Sequence, residues 1–307
     1  MRIAYRSIAD LNNAILKNLY KFPQNIDLVV GIPRSGMLPA NLISLYLNKP
    51  FTDIDSFIEG RVYSSGERGR YIPNDNSQTI LIVDDSISSG NALNKAKIKT
   101  KTIENQYNIK WGVVYATKES KDKVDIYCEI TPHDRIFQWN IFQHDFYLQK
   151  SFYDIDGVLC PNPPIDDDGT LYIQYITNAP LLYRPTYKID TIISCRLEKY
   201  RAITEKWLKV NGIRYNNLIM LNLPDKKSRI KWNKHGSYKG TYYKKSDAVL
   251  FVESSLREAQ EILKVSHKSV FCIETFTLMN YVESPYRARI RNLYWKIRSM
   301  LHIKSQY

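Results

Sequence analysis

Apolar positions along the chain fall into short runs separated by amphipathic stretches. Residues 8–20, IADLNNAILKNLY, carry apolar side chains at helical spacing. IDLVV follows as a buried strand over Leu28 to Val30, which runs through GIPRSG into a turn and a new helix. TILIVDD near residue 80 repeats the arrangement, opening into a Ser/Gly turn and a helical stretch. KWGVVYAT near residue 114 supplies another strand. Apolar strands separated by helices predict a parallel sheet covered on both faces. Between these units, SFIEGRVYSSGERGRYIPNDNSQ is too polar for a core element and reads as a long mobile loop.

A second α/β pattern begins at KSFYDIDGVLC. It continues through DTIISCR (strand), LEKYRAITEKWLKVNG (helix ending at Gly212), LIMLN (strand) and AVLFVESSLREAQEILK (strand, then helix). The change of pattern places a boundary near residue 148, giving domains 1–148 and 149–278. CPNPPIDDDG, directly after a strand, reads as an insertion or cap loop. Residues 279–307 predict a basic amphipathic C-terminal helix. Ile290, Leu293, Ile297 and Leu301 recur at helical spacing beside Tyr294 and Trp295, with Arg287, Arg289, Arg291, Lys296, Arg298 and Lys304 and no acid from Ser284 onward.

Composition narrows the class. At 307 residues, 44% hydrophobic and 12% aromatic, the chain has the makings of two globular cores. No stretch approaches the roughly 18 apolar residues needed to span a bilayer, and no secretory signal is evident at the N-terminus. Cys128, Cys160, Cys195 and Cys272 are scattered without a CxxC pair, which predicts neither a disulfide framework nor a zinc site and suits a reduced, cytoplasmic protein. The formal charge of +13 calls for an anionic partner: nucleic acid, phosphorylated substrate or anionic lipid.

Two strand ends carry candidate chemistry in the first half. ILIVDDSISSG delivers Asp84 and Asp85 at the end of a buried strand, then a turn of Ser86, Ser88, Ser89 and Gly90 at a helix start. Small side chains there let backbone N–H groups and hydroxyls close on a phosphate, and the carboxylates suit ribose hydroxyls or magnesium. The segment resembles the phosphoribosyl pyrophosphate (PRPP) loop of type I phosphoribosyltransferases, with Ser89 in place of the usual threonine. GIPRSGM is similar to that family's pyrophosphate loop: Arg34 can fork onto phosphate, beside Ser35 and Gly36. Arg61, Arg68 and Arg70 lie on the polar loop between them, which in the family folds over bound PRPP. The resemblance implies that Mg2+, Arg34 and the backbone cradle stabilise departing pyrophosphate.

FYDIDGVLC resembles the first motif of the haloacid-dehalogenase phosphatases. The resemblance implies a C-terminal Rossmann-like domain with Asp154 as nucleophile, Asp156 as general acid and base, Ser194 as phosphate-binding hydroxyl and Lys239 as the neutralising lysine. Lys234, Lys244 and Lys245 compete for the last role. The implied magnesium set is Asp154, Asp156 and Glu253. Ser254 and Ser255 stand where a second acid is usual, and Glu258 is a candidate substitute.

The pair of domains is similar to fused phosphoribosyltransferase–phosphatase proteins that add ribofuranose to bacterial surface polysaccharides. That resemblance implies PRPP and a glycan or lipid-linked glycan as partners, the basic helix on the inner face of the cytoplasmic membrane, and by analogy a homodimer. Phe137, Trp139 and Phe142 could stack on sugar rings or pack in a core. A nucleobase phosphoribosyltransferase joined to a nucleotidase is the first alternative. A PRPP-sensing regulator that binds nucleic acid is the second, and no helix-turn-helix or RNA-binding module supports it.

Overall fold

Consecutive residues of a strand face opposite sides of a sheet, and the buried runs of the first half use both sides. Leu28, Val30, Ile80 and Ile82 pack in one cluster with Ile54, Phe57 and Ala96. Their neighbours Val29, Leu81 and Val83 pack in another with Leu11, Ile15, Ala40 and Ile43. This is why the strands read as unbroken apolar runs.

In the computed structural model, residues 2–63, 78–164 and 169–282 are described. Arg68, Arg70 and the basic tail from residue 283 lie outside them. Contacts divide the chain into two compact units, Ile3–Ile141 and one made mainly of the residues from Phe142 onward.

The first unit runs β1 (Ala4–Arg6), α1 (Ile8–Lys17), β2 (Ile26–Gly31), α2 (Met37–Leu47), β3 (Phe51–Asp53), α3 (Ile54–Ile58), β4 (Thr79–Ile87), α4 (Asn91–Thr100), β5 (Asn108–Ala116), β6 (Ile126–Ile130) and β7 (Arg135–Phe137). Its main sheet has the order β3-β2-β4-β5-β6, every pairing parallel. β1 and β7 form a separate two-stranded parallel sheet. Ser7 and Asp10 make a reciprocal capping box that starts α1.

The polar loop expected after Asp55 begins instead as helix. Asp53 caps α3 by accepting hydrogen bonds from the backbone N–H groups of Asp55 and Ser56, and Phe57 is buried in the core. A local cap and one buried aromatic ring outweigh the polar composition that follows.

The second unit runs α5 (Asp145–Leu148), β8 (Ser151–Tyr153), α6 (Thr170–Asn178), β9 (Ile189–Leu197), α7 (Arg201–Val210), β10 (Tyr215–Leu221), α8 (Lys226–Trp232), α9 (His235–Lys245), β11 (Leu250–Glu253), α10 (Leu256–Ser266), β12 (Ser269–Cys272) and β13 (Thr277–Met279). Its sheet has the order β10-β9-β8-β11-β12-β13, parallel except for the edge strand β13, which pairs antiparallel with β12. Gly212, just past α7, takes φ +67°, the left-handed conformation that favours glycine after a helix end. Among the described residues no helix is long and apolar enough to cross a membrane.

Candidate functional site

In an open parallel sheet, ligands bind beyond the carboxyl ends of the strands. Both units place their acidic motifs there. In the first, Asp84 and Asp85 are both buried near the end of β4, which runs on through Ser86 to Ile87 because these residues still pair with β5, so the turn expected from Ser86 begins only after Ile87. The following turn reaches Gly90, which takes φ +89° and caps α4. Ser86, Ser88, Ser89, Gly90 and Asp84 line one cavity of about 190 Å3, together with Asn91 and Arg135.

The GIPRSG loop is pressed against the end of β4. The N–H of Ile32 donates to the Val83 carbonyl at 2.9 Å. A Cβ on Gly36 would lie 2.5 Å from the Ile32 carbonyl oxygen, 2.7 Å from that of Val83 and 2.9 Å from the Asp84 Cα. Only glycine allows that approach, which sets the loop beside the acidic pair. Ser35 is half-buried there and Arg34 is exposed. Arg61 is exposed and paired with Glu59.

Asp85 accepts a hydrogen bond from the Trp139 indole N–H at 2.7 Å. Trp139 stacks on Phe137, with centroids 4.7 Å apart, and Phe137 stacks on Tyr115 at 5.4 Å. Both faces of Phe137 are therefore covered by protein rings, and it is not open to a sugar. Phe142 belongs to the second unit, where it stacks on Tyr183 at 4.4 Å. The aromatic run packs as core rather than as one platform.

Burial, reinforced by the neighbouring charge of Asp85, pushes the Asp84 carboxyl up to about 8. The folded value lies above the ordinary aspartate value of 3.8, so between them the folded state keeps a proton that the unfolded chain has lost. That stability is fully present below the unfolded value and is lost as pH rises through about 8. Asp84→Asn is expected to raise the Tm by an amount that grows from nothing near pH 4 to about 1–3 kcal/mol equivalent near pH 8. Thermal melts across this range measure it. A variant melting in parallel with wild type at every pH would contradict it.

In the second unit, Asp154 follows β8, and its backbone N–H donates to the Val252 carbonyl at 3.0 Å, which ties it to β11. Lys239 on α9 is buried, and its ammonium donates to Asp154 Oδ2 at 2.7 Å, Glu253 Oε2 at 2.8 Å and Glu258 Oε2 at 2.8 Å. Lys234, Lys244 and Lys245 are exposed. Glu253, at the end of β11, also accepts hydrogen bonds from the Ser254 backbone N–H and hydroxyl. The serine that stands in place of an acid thus supports the acid before it.

Glu258 joins the cluster because α9 and α10 pack closely. A Cβ on Gly236 would lie 2.6 Å from the Glu261 Cβ, and one on Gly240 would lie 2.9 Å from the Val265 Cβ. Two glycines four residues apart open one face of α9 to α10, and Glu258 meets Lys239 there.

Asp154, Asp156, Ser194, Lys239, Glu253 and Glu258 all line one cavity of about 310 Å3. Asp156 has a partner that the motif does not announce: Arg196 Nε donates to its Oδ2 at 3.0 Å and Nη2 to its Oδ1 at 2.6 Å. The Arg196 side chain is fully buried. It stands two residues after Ser194, whose hydroxyl accepts from the Arg196 backbone N–H at 3.1 Å. Lys226, Arg229 and His235 also line the cavity and were not picked out from the sequence. A basic residue two positions after Ser194 on the same strand was the available signal for Arg196.

Burial raises the Asp154 carboxyl well above its usual range, with Lys239 pulling it down and the neighbouring carboxylates pushing it up. Burial alone would lower the Lys239 ammonium, but the three carboxylates carry it well above its ordinary value. Burial would raise Glu258, yet hydrogen bonds and charge from His235 and Lys239 hold it at about 2. One oxygen from each of Asp154, Glu253 and Glu258 lies within 4.8 Å of the others. Hard carboxylate oxygens are the donors Mg2+ takes, and a bound ion would supply charge stabilisation to a phosphoryl group, but in this arrangement the Lys239 ammonium already bridges the three carboxylates. The Asp156 carboxylate, also expected in that set, is held by Arg196.

No curated protein matches the chain. Among solved structures, a purine phosphoribosyltransferase from Pyrococcus horikoshii is similar at 22% identity, over 45% of this chain and 94% of that one, with a TM-score of 0.32. A Helicobacter pylori xanthine-guanine-hypoxanthine phosphoribosyltransferase is similar at 18% identity, over 46% and 93%, with a TM-score of 0.35. An orotate phosphoribosyltransferase from Aeropyrum pernix follows at 16%, over 40% and 69%, with a TM-score of 0.29. Residues 3–151 match the family model of the phosphoribosyl transferase domain.

Proposed function

We propose that the chain carries out two successive reactions on one ribosyl group. The first unit transfers ribose 5-phosphate from PRPP to a glycan acceptor and releases pyrophosphate. The second hydrolyses the 5-phosphate and leaves a ribofuranosyl residue. The observation that carries the reading is the pairing of a phosphoribosyl transferase domain, whose product bears a 5-phosphate, with a second cavity suited to removing one. In that cavity Asp154, Ser194, Lys239 and Glu253 come together from four elements. Nucleotide salvage keeps the 5-phosphate, whereas ribofuranose in a polysaccharide lacks it.

In the first reaction Arg34, Ser35 and Gly36 take the pyrophosphate, and the Ser86–Gly90 segment takes the 5-phosphate. Asp84 and Asp85 bind the ribose hydroxyls. Arg61 and Arg68 bind the donor. In the second, the Asp154 carboxylate attacks phosphorus and the sugar oxygen leaves with a proton from Asp156. Water then cleaves the aspartyl-phosphate. Lys239 and Ser194 hold the phosphoryl oxygens, and Mg2+ serves both units. The basic tail seats the protein at the inner face of the cytoplasmic membrane.

The test is incubation with PRPP, Mg2+ and a panel of synthetic glycans and nucleobases, with product masses followed. The expected result is a glycan heavier by an unphosphorylated pentosyl group. Nucleotide formation would replace the glycan reading with a nucleobase one. Absence of PRPP turnover with every acceptor would remove the transfer step.

A further inference from the structure

Strands β4, β5 and β6 lie side by side in the main sheet, and the segments leaving their carboxyl ends line a second cavity of the first unit, of about 740 Å3. It meets the smaller phosphate cavity at Ser88 and Ser89 and extends over Thr117 and Lys118 after β5 and Thr131 after β6. Its wall is braced. The Thr117 backbone N–H and hydroxyl donate to the Ser120 hydroxyl oxygen at 2.9 and 3.0 Å, and Ser120 donates onward to the Ile87 carbonyl at 3.1 Å. Lys123 donates to the Ser89 carbonyl at 2.9 Å. The segment after β5 is therefore tied at two points to the end of β4 and its turn. Thr131 is 1% exposed, and its hydroxyl has no hydrogen-bond partner among the described residues.

We infer that this cavity is the acceptor subsite of the first unit and that it takes a saccharide. It opens off the turn after β4, at the strand ends where parallel sheets bind ligands, and its volume is that of a ligand site. The chemical class follows from the lining. A flat base is held by stacking on rings, and none of the described residues lining the cavity is Phe, Tyr or Trp. Ile130 and Pro132 supply an apolar patch, and hydroxyls, the Lys118 ammonium, Glu119 and His133 supply the rest. A sugar ring carries the matching pattern: an apolar C–H face, and hydroxyls at its rim that both donate and accept. Buried polar groups are rarely left without a partner, and a ligand hydroxyl can satisfy that of Thr131. The inference rests on the proposed transfer from PRPP and locates the acceptor, which the donor motifs leave open.

The test is saturation-transfer NMR on the full chain with Mg2+, with N-acetylglucosamine and methyl galactopyranoside as saccharide probes and adenine and hypoxanthine as base probes. PRPP binding is measured alongside by calorimetry. The saccharides are expected to bind and the bases not. Thr131→Val is expected to weaken the saccharides by about 2- to 12-fold in Kd, the worth of one neutral hydrogen bond, and to leave PRPP affinity unchanged. It removes only an unpartnered hydroxyl, so its Tm should not fall, which separates lost affinity from misfolding. Lys118→Met is expected to weaken the saccharides as well, and it carries the test should the valine variant not fold. Binding of the bases without the saccharides would overturn the ligand class. Saccharide binding untouched by either variant would place the acceptor elsewhere and overturn the inference. A wild-type protein that binds PRPP but neither saccharide would overturn it too. A wild-type protein that binds no PRPP would instead remove the transfer reading, and the inference with it.

Discussion

Asp154→Asn is expected to abolish release of inorganic phosphate from phosphomonoesters while PRPP consumption by the first unit continues. Loss of an attacking group that acts in concert with its neighbours costs on the order of 10^4-fold or more in rate. The substitution is nearly isosteric, and its structural cost is small for identifiable reasons. The asparagine carbonyl can still accept the Ile155 N–H that Asp154 Oδ1 accepts at 2.8 Å. Lys239 keeps Glu253 and Glu258 as partners. Burial disfavours the Asp154 charge, so its removal offsets part of the lost ion pair. If the proposed two-step reaction holds, this variant is expected to accumulate a glycan bearing ribosyl 5-phosphate, seen as an extra phosphate in product mass. Phosphatase turnover above about 1% of wild type would place the nucleophile elsewhere, since concerted sites lose far more.

Lys239→Met is expected to have the largest effect on stability. The ammonium is the common partner of three carboxylates at 2.7, 2.8 and 2.8 Å, in a site where Lys239 and Glu253 are almost fully buried. Methionine preserves length and removes the charge. Removing one partner of a buried ionic cluster typically costs about 3–5 kcal/mol. The pH dependence has a definite sign. The folded-state value of Lys239 is raised, so its contribution is complete at neutral pH and below and is lost only as pH climbs past the ordinary lysine range. In the variant the three acids are left repelling one another, and protonation relieves them. The difference from wild type should therefore narrow as pH falls from 7.5 toward 5. Urea unfolding at the two pH values measures this. A loss under about 1 kcal/mol at pH 7.5, the scale of an exposed pair, would mean that the ammonium does not hold the cluster. Phosphatase activity should be lost in the same variant.

The amino-acid sequence determined by itself the local, contiguous features. Buried runs such as Leu28 to Val30 and Ile80 to Val83 need no partner to be recognised, because short runs apolar on both faces and rich in Val and Ile suit a strand covered on both sides. Asp84, Asp85, Asp154 and Asp156 were legible because each pair sits in one short stretch at a strand end. The motif resemblance had named Lys239 with three competing lysines, and the tertiary structure brought Lys239 to the acid and added partners that no motif names. Lys239 meets Asp154 across 85 positions, Arg196 meets Asp156 across 40, and Arg135 reaches the Ile87 carbonyl across 48. Glu258 was a candidate in the sequence, and its entry into the cluster depends on the close packing of α9 on α10 that Gly236 and Gly240 permit. The aromatic run from Phe137 to Phe142 is the converse case. Its composition left sugar stacking and core packing equally open, and only the partners Tyr115, Trp139 and Tyr183 settled that its rings pack against the protein. Register and helix packing are set by the whole core at once, so a buried charge's partner cannot be read from its neighbours in sequence.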